Sequence, residues 1–226
     1  FMYAVVLLAL LAWRPRILAQ VRAHPELWLL ALASGLNNVA FNWAVTIGDV
    51  VRVILLFYLM PAWAVLLAWK VLGERPTPAA LLRLALAFSG VLLVLLPEGA
   101  PASRLLQNLS LADGLALLGG FMFALTNVTL RRLHAVPGPA RMFSMFGGCM
   151  LMALAVAGIG LQAGVVEPFP AANATWVVTG LLLAGVLMLG NWALQFGAAR
   201  LAAGTTALVM LSEVMFASVS SALLGA

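Results

Sequence analysis

Charge is scarce in this sequence. Asp, Glu, Lys and Arg make up 8% of its 226 residues, against 65% apolar residues and a mean hydropathy of +1.11. A soluble domain carries about 25% charged residues, so too few are present to clothe a surface exposed to water. Cysteine is almost missing as well. The single Cys149 lies inside an apolar run, which excludes a disulfide framework and a thiolate metal cluster and reads as packing. The only histidines, His24 and His134, sit in polar loops, so no base adjoins a serine within the apolar runs. Neither an HExxH pair nor a cluster of Asp residues occurs, and no GxxxxGK[ST] loop is present. These absences argue against an intramembrane enzyme and against ATP-driven pumping by this chain alone. No catalytic residue, metal or cofactor is expected.

The net charge of +5 does not point to nucleic acid, because the twelve Lys and Arg are scattered over short loops and form no basic helix or stripe. Long apolar runs dominate instead. Breaks at charges, Gly and Pro divide the chain into eight segments, near 1–13, 27–47, 52–72, 78–96, 112–131, 141–162, 174–197 and 204–225. About 20 apolar residues cross a bilayer as a helix. The runs show no alternation, which excludes barrel strands. The fold class is therefore all-α and polytopic, with lipid as solvent. No cleavable signal peptide is visible. The first segment is too short to span and the last ends abruptly, so a helix before residue 1 and another after residue 226 are expected.

Loop charges suggest an orientation. Arg14, Arg16 and Arg22, then Lys70, Arg75 and Arg83, then Arg131, Arg132 and Arg141, and finally Arg200 fall on one set of alternate loops. The other set holds Arg52 and Arg104 beside Asp49, Glu98 and Glu167. The bias assigns the first set to the cytoplasmic face of a bacterial inner membrane. Trp13, Trp28, Trp69 and Trp176 lie near segment ends, where an amphipathic ring prefers the interface.

Polar residues inside the segments are the candidates for handling a solute. Asn38 and Asn42 share a helix face at i, i+4, with Asn37 adjoining; Asn191 and Gln195 repeat that spacing, and Asn127 follows Phe123 by four residues. Amides both donate and accept, which suits a zwitterion. Glu213 lies near the middle of its segment, where a charge costs about 2.5–3.5 kcal/mol unless it faces a cavity or stays protonated. Pro61 occupies the matching place in the first half and is expected to bend its helix and free the carbonyl near Phe57. Trp43, Tyr58, Trp63 and Trp192 offer aromatic faces away from helix ends. Arg52 is read as snorkelling to the headgroups. The pairs Gly119-Gly120 and Gly147-Gly148 would let helices approach closely. Helix packing and interhelical hydrogen bonding stand as the alternative for every one of these residues.

The chain also repeats itself. Asn42-Trp43-Ala44 recurs as Asn191-Trp192-Ala193 about 150 residues later, and each is followed by a Gly, a turn and another long segment. Those following segments end alike, in Val71-Leu72-Gly73 and Leu223-Leu224-Gly225. An odd number of spans separates the copies, so the second enters the membrane from the opposite side, an inverted-topology repeat. Its halves would be 1–98, lacking a first helix, and 99–226, lacking a last one. That makes ten helices in all, of which eight lie in this chain.

On these residues the sequence resembles the drug/metabolite transporter superfamily in its ten-helix form with two EamA domains. The passage from Gly48 to Pro61 is similar to that family's third-to-fourth helix, and Leu72-Gly73-Glu74-Arg75-Pro76-Thr77 resembles its L-G-E-x-x-T turn. Leu211-Ser212-Glu213-Val214 resembles its L-E-P-V motif, while Ala226 stands where an acidic residue is expected. Within the family the chain looks most like YddG-type exporters. The resemblance implies a small-molecule exporter of neutral or aromatic amino acids, working by alternating access through a central cavity between the repeats. The lipid bilayer is the expected partner, nucleic acid is not, and a monomer is the expectation for the assembly. Proton-coupled export of a drug or lipophilic cation through Glu213 is the rival reading.

Overall fold

In lipid a helix satisfies its backbone polar groups within its own segment, and the apolar runs fold accordingly. The computed structural model describes residues 1–95, 109–165, 173–198 and 200–201. The segment at 204–225 with Glu213, and the junction between the two expected halves, lie outside the described residues. The helices are α1 (Met2–Trp13), α2 (Ile17–Ala23), α3 (Glu26–Ile47), α4 (Val50–Phe57), α5 (Met60–Leu67), α6 (Pro78–Leu95), α7 (Leu111–Arg132), α8 (Gly138–Gln162) and α9 (Ala174–Ala198). A π turn, Ala68–Leu72, continues α5. Among the described residues there is no strand.

Among the described residues four stretches are long and apolar enough to cross a membrane: Val50–Leu72, Leu111–Arg132, Gly138–Gln162 and Ala174–Gly197. The molecule is an all-α polytopic membrane protein. The 22-residue α3 is not among the four, because Ser34, Asn37, Asn38, Asn42 and Thr46 dilute its hydropathy. It occupies the middle of the bundle instead, packed along both α7 and α8. Ser34, Asn37 and Asn38 are thereby held against protein.

Small residues make that central position reachable. Ala44 of α3 is buried in one cluster with Ala112 and Ala116 of α7. On the opposite flank a methyl at Gly148 of α8 would overlap the Ala31 carbonyl, and one at Gly35 would meet the Gly148 carbonyl at 2.5 Å. The two backbones touch because neither position carries a side chain.

The stretch from Val50 to Leu72 is broken once. α4 stops at Phe57, and α5 starts at Met60 with Pro61 in its first turn. Pro61 has no N–H for the Phe57 carbonyl four residues earlier. That carbonyl lies against Gly120 of α7, where a Cβ would come within 2.7 Å of it. The break and the glycine therefore fit each other.

The segment between Arg14 and Glu26, read from sequence as a loop, contains α2, which turns by 99° from α1. Ile17 and Val21 lie one turn apart and bury against the cluster containing Leu133, Val136 and Ala140. Glu74 pairs with Arg131 at 2.5 Å. The loops carrying Arg14 to Arg22, Lys70 to Arg75 and Arg131 to Arg141 thus share one end of the bundle. Trp13, Trp28, Trp69 and Trp176 are all exposed near helix ends.

At the other end Asp49 caps α4, its side chain accepting from the Arg52 N–H. Ser110 and Asp113 form a capping box at the start of α7. Here the sequence expectation for Arg52 needs correction. Its guanidinium does not reach for a headgroup but makes a two-pronged bond to Asp113, at 2.7 and 2.9 Å. Asp113 is 1% exposed, and a buried carboxylate is stable only when charge-paired and hydrogen-bonded.

Candidate functional site

The polar face of α3 does not end in packing. Between α3, α7, α8 and α9 lies a cavity of about 720 Å3, which Tyr3 of α1 also lines. Small-molecule sites usually measure about 300–1,000 Å3. The α3 wall presents Ser34, Asn37 and Asn38; α7 adds Phe123 and Thr126, α8 adds Phe146 and Cys149, and α9 adds Asn191. No Asp, Glu, Lys or Arg is among these lining residues. Among the described residues no group of His, Cys, Asp and Glu could hold a metal ion.

Local hydrogen bonds decide what each amide has left to offer. The Asn38 NH2 donates to the Tyr3 hydroxyl at 2.7 Å, which leaves the Asn38 oxygen as an acceptor. The Asn37 oxygen is buried without a partner. Across the cavity the order is reversed. The Gln195 NH2 donates to the Asn191 oxygen at 2.8 Å, which leaves the Asn191 NH2 as a donor. The α3 wall is thus left with an acceptor at Asn38 and the α9 wall with a donor at Asn191. Ser34 and Thr126 bond to carbonyls of their own helices, at Leu30 and Met122, and the Cys149 thiol faces the Ser34 carbonyl at 3.4 Å. These three present little unused polarity.

Not all of the candidates read from sequence gather here. Asn38 and Asn191 line the cavity, and the buried Gln195 orients Asn191. Asn42 is exposed and donates to the Asn38 carbonyl on its own helix. Trp43 is half-buried outside the cavity. Tyr58 stands edge-on to Phe57, and Trp63 edge-on to Phe121, beside the α5–α7 contact. Trp192 is 62% exposed and borders a separate apolar hollow with Leu10 and Trp13. Asn127 is 2% exposed, and neither of its amide atoms has a partner. It follows Phe123 by one turn but does not line the cavity. Tyr3 and Phe146 were not singled out from sequence. Tyr3 had a signal, being a phenol within an apolar run and one of only two tyrosines. Phe146 had none to separate it from packing.

Residues 1–96 match the family model described as the EamA-like transporter family. Comparison with curated proteins gave no match, and neither did comparison with solved structures. The match covers less than half of the chain, and by its description the family is one of transporters.

Proposed function

Starting from the EamA-like match and the uncharged cavity, we propose that the chain is a secondary transporter of neutral, including aromatic, amino acids, of the YddG type. One observation carries this reading. Asn38, whose NH2 is engaged by Tyr3, and Asn191, whose oxygen is engaged by Gln195, line one cavity from different helices, leaving an acceptor on α3 and a donor on α9. An α-amino acid is a zwitterion, so its ammonium suits the α3 wall and its carboxylate the α9 wall. With no fixed charge among the described lining residues, a solute of net charge zero is preferred, since a net charge would enter without a counterion. Phe123 and Phe146 supply ring faces for an apolar or aromatic side chain.

Access alternates between the two faces as the halves 1–98 and 99–226, related by inverted topology, rock about the site. The arginine-rich end is cytoplasmic in a bacterial inner membrane, and transport runs outward.

The test is flux of labelled phenylalanine, leucine and glutamate in proteoliposomes of the full chain. Saturable movement of the two neutral amino acids, with glutamate excluded, is the expected result. Flux of a lipophilic cation driven by a pH gradient, with no amino-acid movement, would replace this reading by proton-coupled drug export through Glu213.

A further inference from the structure

At the arginine-rich end a second hollow, of about 590 Å3, is bordered by Glu74, Arg131, Arg132, His134 and Arg200. Its charges do not balance. Glu74 is committed to Arg131, whose guanidinium also donates to the Leu201 carbonyl. Arg132 and Arg200 have no carboxylate partner among the described residues. Arg200 is held in place: it stacks over the Phe196 ring, 3.6 Å from its centre, and donates to the Phe196 carbonyl at 3.2 Å. His134 is anchored through Nδ1 to the Arg131 carbonyl at 3.1 Å. Just inside, Arg141 is buried with its Nε unpartnered, its one bond being to the Leu130 carbonyl at 3.4 Å. The excess of positive charge is therefore local, and at Arg200 it is held in place.

The position of the hollow identifies what neutralises it. Val71 and Leu72 close the span Val50–Leu72, Arg131 and Arg132 close Leu111–Arg132, and Arg200 follows the end of Ala174–Gly197 by three residues. Three spans end together here, at the depth of lipid headgroups, and the apolar Val71 and Leu72 form part of the rim. The geometry points to a binding site for the phosphate of an anionic phospholipid, seated between Arg132 and Arg200 with its chains beside Val71 and Leu72. A guanidinium fork matches two phosphate oxygens at once, and basic pockets between transmembrane helices select anionic headgroups.

The experiment is native mass spectrometry of the full-length protein in neutral detergent, titrated with equimolar phosphatidylglycerol and phosphatidylcholine. Thermal unfolding is followed in parallel. The wild type is expected to retain phosphatidylglycerol preferentially and to unfold at higher temperature in its presence. The double variant Arg132→Gln/Arg200→Gln should lose that preference by about 25-fold, about fivefold for each arginine. Arg132→Gln alone, on an exposed side chain, keeps the test available if the double variant does not fold. Arg75→Gln, at the same end but outside the hollow, should leave the preference intact. Equal retention of the two lipids would overturn the proposal. So would an equal loss in Arg75→Gln, which would mean diffuse attraction. Inorganic phosphate at millimolar concentration displacing the lipid and reproducing the thermal shift would assign the hollow to a free anion instead.

Discussion

The tripeptide Asn-Trp-Ala occurs on α3 and again on α9, and its two copies stand in different surroundings. On α3, Ala44 is fully buried against α7, Trp43 is half-buried and Asn42 is exposed. On α9, Asn191 lines the cavity while Trp192 is exposed. The difference lies in the number of neighbours. α3 has α7 on one flank and α8 on the other, so two faces must be small, and its Ala and Gly residues set its rotation. Among the described residues α9 meets α1, α7 and α8, and its Leu182 and Leu189 are exposed. Identical residues at equivalent places in a sequence do not receive identical environments. The phase of each helix about its axis assigns them.

Backbone contact is the sharpest way to test this contrast. Gly148→Val, which drives a side chain into the Ala31 carbonyl, is expected to cost about 3 kcal/mol or more, read as a collapse of thermal stability in detergent. Gly190→Val on α9, where a Cβ meets nothing within 4 Å, should stay within roughly 1 kcal/mol of wild type. Equal losses would mean that α9 is packed as tightly as α3. At the level of the solute, Asn38→Leu and Asn191→Leu should each weaken amino-acid transport about tenfold, the worth of one hydrogen bond to a charged group. Asn42→Leu should change it less than twofold. Kinetics in which Asn42→Leu is the most damaging of the three would return the substrate face to the sequence-level pairing of Asn38 with Asn42. A gain rather than a loss is expected at Asn127. Replacing an unpartnered buried amide by Leu removes a desolvation penalty, so Asn127→Leu should raise stability by about 1 kcal/mol. A fall in the unfolding temperature would show that the amide has a partner, water or solute, in the working protein.

Much of the architecture was readable in advance. Helix positions followed from runs of apolar residues bounded by charge, Gly and Pro, because in a bilayer no other local structure satisfies the backbone. α2 was missed because seven residues bearing Arg22 and Gln20 carry no span-length signal; only the neighbouring helices give Ile17 and Val21 something to bury against. The cavity was half readable. Asn38 and Asn191 stood out as amides in apolar surroundings, whereas Tyr58, Trp63 and Trp192 carried the same kind of signal and lie elsewhere. The pairing of Arg52 with Asp113 joins residues 61 positions apart, and no local pattern predicts it.

Composition and periodicity thus determined that the chain dissolves in lipid, where its helices run and which loops carry the basic residues, since these depend on transfer free energies summed along contiguous stretches. Tertiary structure alone decided which face of each helix turns inward. That choice depends on close packing between residues far apart in sequence, as where Gly148 meets Ala31 and Gly120 meets the carbonyl freed by Pro61. The same packing brought Asn38 of α3 and Asn191 of α9 to one cavity.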